Sequence, residues 1–145
     1  MRRLGLLALL GLSLCACGSS HKAAPATTAA APGRSAQPSA GGVRVAIIAP
    51  THTPKVNANW PVAVKVSDAG GRPLAATLTM RVLFAGAPVG KVDNGRVYRF
   101  VGSWQEKPGQ DITWPAQSRG QPLTFEAVVR AKGETVKRTW WIQSK

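Results

Sequence analysis

From residue 43 to the C-terminus, apolar side chains recur at every second position. The runs that show this alternation are 43–47, 60–66, 78–84, 123–129 and 136–142, with two shorter candidates at 96–102 and 110–114. A period of two is typical of β-strands with one buried face, because successive side chains point to opposite faces. No segment shows a 3.6-residue period long enough for a helix of ordinary length. The pattern therefore predicts an all-β domain of about seven strands.

Turn-forming residues separate these runs. Asp68–Pro73 (DAGGRP) combines glycines, which adopt positive φ easily, with a proline that ends one strand before the next begins. Asp93-Asn94-Gly95 and Ala131–Glu134 have the composition of hairpin turns. Seven short strands in about 100 residues indicate an antiparallel β-sandwich.

The segment Val62–Val82 (VAVKVSDAGGRPLAATLTMRV) resembles the central strand-turn-strand of bacterial immunoglobulin-like domains. In that family a turn with Asp and Gly, followed by Pro, links two core strands. The resemblance implies an immunoglobulin-like β-sandwich over residues 43–145. This domain has no core cysteine pair, so packing must hold its sheets together, and Trp60 or Trp104 is expected at the central aromatic position.

The N-terminus is typical of an export signal. Arg2 and Arg3 precede an apolar run, Leu4–Leu14, that is much shorter than the roughly 20 residues a membrane-spanning helix needs. The end of this run, Leu14-Cys15-Ala16-Cys17, resembles the lipobox of bacterial lipoproteins, with an aliphatic residue three before and a small residue one before the acceptor cysteine. The resemblance implies that residues 1–16 are a signal peptide and that Cys17 is lipidated.

Lipidation would place the mature protein on the extracytoplasmic face of the cell membrane, held by its acyl chains. Gly18 follows the acceptor, where an Asp commonly retains Gram-negative lipoproteins at the inner membrane, so in such an organism the outer membrane is expected. Two alternatives remain: ordinary secretion with cleavage elsewhere, and metal or redox chemistry at Cys15 and Cys17. A metal site would need further ligands, and the chain's only histidines are His21 and His52.

Residues 17–42 are predicted to form a linker after the lipidated cysteine. From Gly18 to Gly42 the chain has no acidic or aromatic residue and no Leu, Ile, Val, Phe or Met. Such a segment buries too little apolar surface to offset the entropy of ordering. A flexible coil of 25 residues would span roughly 25–30 Å, enough to hold the domain clear of the lipid head groups.

The sequence proposes no catalytic site. The six acids do not suggest the facing carboxylate pair of a glycosidase, and His52, flanked by Thr51 and Thr53, is expected to be a solvated loop residue. There is no phosphate-binding glycine loop, zinc helix or calcium loop. We therefore expect no enzymatic activity, no metal and no cofactor.

The charge of the domain is strongly positive. The whole chain carries a formal +13, and residues 43–145 hold fifteen Lys and Arg against six acids, a net charge of +9. Such a field would attract anionic lipids, wall polymers or nucleic acid, and for an exported protein the envelope polymers are more accessible than nucleic acid. Alternatively, the basic residues are scattered over the solvent faces and keep strand edges apart.

The adjacent residues Trp140 and Trp141 must point to opposite faces of a regular strand, so one of them lies outside the core. With Lys137 beside it, Trp141 is a candidate platform for a sugar ring or a partner protein, unless it covers a sheet edge. Trp104 and Trp114 are further candidates for this binding surface. These features predict a non-catalytic binding module that contacts an envelope protein or an anionic wall polymer, or else a structural accessory subunit of a membrane complex.

Overall fold

The computed structural model describes residues 42–107 and 112–145, and these residues form antiparallel sheets. The predicted signal peptide, Cys17 and the linker up to residue 41 lie outside this part of the chain. Within the described residues no helix is long and apolar enough to span a bilayer. The strands seen there are β1 (Arg44–Ile48), β2 (Asn59–Trp60), β3 (Ala63–Ser67), β4 (Ala75–Phe84), β5 (Ala87–Lys91), β6 (Tyr98–Val101), β7 (Ser103–Gln105), β8 (Ile112–Thr113), β9 (Pro122–Ala131) and β10 (Glu134–Gln143).

The strands form two main sheets that share one hydrophobic core. One sheet has the order β1-β3-β7, and the other has the order β10-β9-β4-β5, with β6 also paired to β4. A two-stranded ribbon, β2-β8, lies beside them. The alternating side chains predicted from the sequence fill the space between the sheets, including Val45, Val64, Leu78, Phe125 and Ile142. The prediction of an all-β domain is thus confirmed.

Trp60 is buried in this core beside two other aromatic rings. Its ring is 5.4 Å from that of Phe125 and 5.5 Å from that of Trp114, both in edge-on geometry. Its indole Nε1 donates to the carbonyl oxygen of Thr51 at 3.0 Å, so the one polar atom of this buried ring is satisfied.

The turns fit the sequence in two places and differ in one. Asp68–Pro73 closes a turn between β3 and β4, and Lys132-Gly133, with φ of 49° and 77°, closes the β9-β10 hairpin. The prediction of a hairpin at Asp93–Gly95 is wrong: this turn joins β5 to β6, which both pair with β4. The physical reason is length, since β4 has 10 residues and its edge accommodates two short strands in succession.

The alternation in β4 breaks at its C-terminal end. Phe84 was expected to share the buried face of Leu78 and Met80, but it is exposed, whereas Leu83 is buried. The pairing of β4 with β5 shifts register between Val82 and Leu83, because β5 carries the extra residue Val89. The register of β4 with β9 is unbroken up to Phe84, so Phe84 keeps the side of Val82 and is exposed because the buried part of the core ends before it.

Gly102 carries the chain from one sheet to the other. It lies between β6, which pairs with β4, and β7, which pairs with β3, and its φ is 71°. A Cβ atom at this position would lie 2.6 Å from the Cβ of Pro73. Both the backbone conformation and the close approach therefore require glycine here.

The free edge of β10 is covered. His52 and Pro54 accept backbone hydrogen bonds from Gln143 and Lys145 at 2.9 Å each. Further along the strand, Arg138 reaches across to β1, where its Nε donates to the carbonyl oxygen of Val45 at 3.2 Å. Such a cover removes the unpaired edge that would otherwise pair with another chain.

Candidate functional site

The outer face of the five-stranded sheet, the side turned away from the core, brings together basic residues that are far apart in the sequence. Thr77 of β4 is paired with Arg130 of β9 on one side and with Arg99 of β6 on the other. Side chains directly opposite one another point to the same face, so Arg99, Thr77 and Arg130 form a row across three strands. With strands about 4.8 Å apart, the two arginines are separated by roughly 10 Å.

A groove runs along this row, which we call the basic groove, formed by Arg99, Arg130 and Lys132 around an apolar floor. Its volume is about 610 Å³, and Ala75 and Val101 contribute to the floor. The side chains of Arg99, Arg130 and Lys132 make no hydrogen bond or ion pair with any residue in the described part of the chain. Their charges are thus available to a ligand.

The acid on this face is neutralised. Glu126 of β9 is buried and pairs with Arg81, directly opposite on β4, through the guanidinium Nε and a carboxylate oxygen. Lys137 of β10 lies diagonally from Arg130 on the exposed face, without a side-chain partner among the described residues. Among the described residues, no acid forms an ion pair with Arg99, Arg130, Lys132 or Lys137.

At the edge of the same sheet, beside β10, an aromatic stack includes both neighbouring tryptophans. The ring of His52 lies between those of Trp140 and Trp141, with centroid distances of 4.1 and 4.2 Å and interplanar angles of 12° and 5°. The opposite orientation predicted for the two tryptophans is confirmed: Trp140 is 2% exposed and Trp141 is 56% exposed. Trp141 is therefore held from one side by His52 and open to solvent elsewhere.

His52 is not the solvated loop residue that the sequence suggested. It is half-buried, and its Nδ1 donates a hydrogen bond to the carbonyl oxygen of Trp141 at 2.8 Å. Because a carbonyl oxygen can only accept, Nδ1 carries the proton, and the ring is fixed by this bond and by stacking. A lone loop histidine between two prolines gives no sequence signal for such a position.

Trp104 and Trp114, which the sequence nominated as binding-surface candidates, belong to the core. Trp104 of β7 is 9% exposed and stacks in a tilted geometry on Tyr98 at 4.9 Å, and Trp114 is 2% exposed. Neither indole offers a surface to a large partner. Of the four nominated residues, Trp141 and Lys137 lie on the outer face of β10, where a partner can reach them.

Tyr98, the neighbour of Arg99 in β6, contacts one acidic and one basic side chain. Its hydroxyl donates to Asp93 Oδ2 at 2.7 Å, and the Arg96 guanidinium lies 5.4 Å from its ring centroid. Burial and, second, the hydrogen bond to Asp93 raise the pKa of Tyr98 to about 12. Asp93 is thus committed to holding this tyrosine.

Asp68 is held within a turn. Asp68 accepts hydrogen bonds from the backbone N–H and the Nε of Arg72 within the β3-β4 turn, and these bonds lower the pKa of its carboxyl group. Across residues 42–107 and 112–145, no three His, Cys, Asp or Glu side chains come close enough to hold a metal ion.

Comparison of the chain with protein-family models, with curated proteins and with solved structures gives no match.

Proposed function

We propose that this protein is an exported, lipid-anchored and non-catalytic binding module of the bacterial cell envelope, and that the outer face of its five-stranded sheet binds an anionic wall polymer. The observation that carries the proposal is that the three cations of the basic groove, Arg99, Arg130 and Lys132, have no side-chain partner among the described residues. The lipobox at Cys17 and the linker to residue 42 supply the anchor and the reach of the module.

The strand order supports the immunoglobulin-like part of this proposal. An order of β1-β3-β7 in one sheet and β10-β9-β4-β5 in the other corresponds to strands A-B-E and G-F-C-C′ of an immunoglobulin-like sandwich. Domains of this type commonly serve as rigid supports for binding surfaces. Here the outer side of the G-F-C sheet would be that surface.

A polymer with repeated negative charges fits the face better than a single anion does. The cations extend across the sheet from Arg99 on β6, through Arg130 on β9, to Lys137 on β10, with Lys132 at the hairpin, so several separated charges can be contacted at once. Exposed charges interact weakly when taken singly, at about 0–1 kcal/mol each, and a useful affinity requires many of them. Trp141 adds an aromatic platform on the same face for the rings of a polysaccharide.

The test is a pair of matched double variants assayed for binding to isolated wall polymer. Arg99→Gln with Arg130→Gln removes two charges from the basic groove, whereas Arg44→Gln with Lys65→Gln removes two exposed charges from the other sheet. We expect the groove variant to bind about tenfold more weakly and to lose part of the salt dependence, while the control changes little.

Two further arms sharpen this test. Trp141→Ala should weaken binding if the platform contacts the polymer, and His52→Ala should produce a smaller loss because it removes the ring that holds Trp141 in place. Binding that is insensitive to salt and to Trp141→Ala would contradict the polymer proposal. Equal losses in the two double variants would show attraction by net charge alone.

A second candidate, an accessory subunit of a membrane complex, is supported by apolar exposure beside the groove. Val97 and Val101 flank Arg99 at the edge of the sheet and are 57% and 66% exposed. Crosslinking from position 101 in intact cells distinguishes the two candidates. One defined protein captured by the anchored chain, and lost with Val97→Asp or Cys17→Ala, would favour the accessory subunit, whereas recovery of wall polymer would favour the first proposal.

A further inference from the structure

The hairpin between β4 and β5 ends in an exposed segment without a polar side chain. This segment, residues 84–90 (FAGAPVG), is exposed at every position, and we call it the apolar tip. Ala85 and Gly86, with φ of 48° and 82°, form its two-residue turn. Phe84 is 42% exposed and Val89 is 59% exposed. Exposed turns usually carry Asn, Asp or Ser, so this composition is unusual for a hairpin that only faces water.

The strand β5 is the last strand on its side of the sheet among the described residues, so its outer edge is open to a partner. Two features oppose the addition of a further strand there. Pro88 has no backbone N–H to donate, and Val89 is the extra residue of the bulge that β5 forms against β4. A protein strand is therefore disfavoured as the partner of the apolar tip.

Three exposed cations, Lys55, Arg119 and Lys145, lie at the same end of the sheet as the apolar tip. The strand β4 ends where β9 begins, with Phe84 opposite Leu123, and β9 begins where β10 ends. Arg119 is bridged to the residue before Lys145, and the backbone N–H of Lys145 donates to the carbonyl oxygen of the residue before Lys55 at 2.9 Å. With strands about 4.8 Å apart, the spacing from β5 to β10 places the apolar tip roughly 15 Å from these cations.

The described segments at this end contain no acidic residue that would offset the cations. These segments are 49–60, 82–91, 112–122 and 141–145. The next acid along β9, Glu126, is buried in its ion pair and lies further along the strand. The end of the domain therefore presents an apolar tip and positive charge side by side.

We propose that the apolar tip inserts into the anionic membrane that holds the lipid anchor, at the boundary between head groups and acyl chains, while Lys55, Arg119 and Lys145 contact lipid phosphates. A membrane surface offers both partners at once. Its acyl chains take up apolar side chains, and the anionic head groups above them attract Lys and Arg. The arrangement of charge and apolar surface at this end of the domain is complementary to such a surface.

The linker is long enough for this contact. The chain enters the domain at the opposite end, where Arg44 is paired with Ser67 beside the β3-β4 turn. The 25 residues from Gly18 to Gly42 would reach up to about 85 Å, whereas β9, with 10 residues, is about 34 Å long. A domain anchored through Cys17 can thus turn its apolar tip toward the membrane.

The basic groove stays clear of the head groups in this arrangement. Thr77, at the centre of its row, lies seven positions before Phe84 on β4, which corresponds to about 23 Å. This distance exceeds the Debye length of about 8 Å at physiological ionic strength. The choice of the anchoring membrane rests on the lipid anchor of the proposed function, but insertion of the apolar tip does not require polymer binding.

The test measures contact between the apolar tip and lipid vesicles. The chain from residue 17 with Cys17→Ala contains no other cysteine, so one new thiol can carry an environment-sensitive dye. Ala85→Cys places the dye in the apolar tip, and Ala69→Cys places it in the β3-β4 turn at the opposite end. On vesicles of phosphatidylglycerol and phosphatidylcholine, emission from position 85 should shift to the blue and that from position 69 should not. Vesicles of phosphatidylcholine alone should bind severalfold more weakly, because they carry no net charge.

A matched pair of variants tests the apolar contact. Val89→Ser and Val97→Ser remove the same side chain at positions that are 59% and 57% exposed, and only the first lies in the apolar tip. Val89→Ser should weaken vesicle binding about fivefold, and Val97→Ser should change it little. Phe84→Ser should weaken it about tenfold, and Val89→Ser serves alone if that chain does not fold.

A second pair tests the charges and separates this proposal from the polymer proposal. Arg119→Gln with Lys145→Gln should weaken vesicle binding about tenfold and reduce its salt dependence, and it should leave polymer binding largely intact. Arg99→Gln with Arg130→Gln should do the reverse. Polymer binding unaffected by the groove variant would contradict the proposed function and leave the membrane contact standing. Equal dye responses at positions 85 and 69, or equal vesicle binding by Val89→Ser and Val97→Ser, would overturn the membrane contact alone.

Discussion

The inner and outer faces of the five-stranded sheet are formed by the same strands and carry opposite chemistry. On β9, Phe125 and Val129 are completely buried between the sheets, whereas Arg130, the next residue, lies exposed in the basic groove. On β10 the same contrast separates Trp140 from Trp141. The comparison teaches that core residues and exposed charges occupy alternate positions of one strand, so single substitutions should separate stability from the binding proposed for the outer face.

The largest effect expected from this comparison is at Phe125. Phe125→Ala removes a fully buried ring in contact with Trp60 and should lower the free energy of unfolding by about 3–5 kcal/mol. Arg130→Ala, on the outer face of the same strand, should change it by no more than about 0.5 kcal/mol. Urea denaturation of both variants measures the difference. Similar losses at the two positions would mean that the outer face contributes to stability as much as the core does.

The inner face was largely predictable from the sequence, because alternation alone identifies it. The inward residues of β1, β3, β9 and β10 follow from the period of two, and this pattern also placed Trp141 and Lys137 on the exposed side. The strand β5 escaped prediction because Ala87–Lys91 (APVGK) is exposed along its whole length and shows no alternation. The three-residue strand β7 is too short to show a period.

The basic groove was not predictable in the same way. Arg99 and Arg130 lie 31 positions apart in the printed sequence, and they meet in one row because each pairs with Thr77 of β4. Register depends on which strands become neighbours, and no periodicity in one segment contains that information. The stack at His52 was not predicted for a related reason. The position of a loop residue depends on the strand edge that it packs against, and the sequence of the loop does not specify that edge.

A second, intermediate effect on the free energy of unfolding is expected at the ion pair of Arg81 and Glu126. Glu126 belongs to the outer face but is buried, and Arg81, about one third exposed, pairs with it. Arg81→Ala leaves a buried carboxylate without its partner and should cost about 1–3 kcal/mol, more than Arg130→Ala does. The double variant Arg81→Leu with Glu126→Leu should recover most of this loss.

A double-mutant cycle on unfolding free energies measures this coupling. Additive losses for Arg81 and Glu126 would show that the two side chains do not stabilise one another. Arg81 and Glu126 would then resemble the other charges of the outer face, whose removal is expected to change the free energy of unfolding little.

The smallest effect is expected at Tyr98, at the boundary between the two faces. Because Tyr98 is the only tyrosine of the chain, absorbance at 295 nm follows its ionisation alone, and we expect a midpoint near 12 in place of the usual 10. Burial is the first cause of the raised pKa and the hydrogen bond to Asp93 is the second, so Asp93→Asn should lower the midpoint only part of the way. A return to 10 in Asp93→Asn would assign the whole effect to that bond.

The raised pKa of Tyr98 also predicts how the stability of the fold changes with pH. Below pH 10 Tyr98 is protonated in the folded and unfolded chains, and its contribution to stability is fully present. Between pH 10 and 12 the unfolded chain loses the phenolic proton while the folded chain keeps it, so stability falls as pH rises. For a half-buried side chain, screened by solvent, we expect about 1 kcal/mol. Tyr98→Phe should lose less stability over this interval than the unmodified chain, since the lysines titrate in both. Equal losses would mean that Tyr98 ionises in the folded chain as it does in the unfolded one.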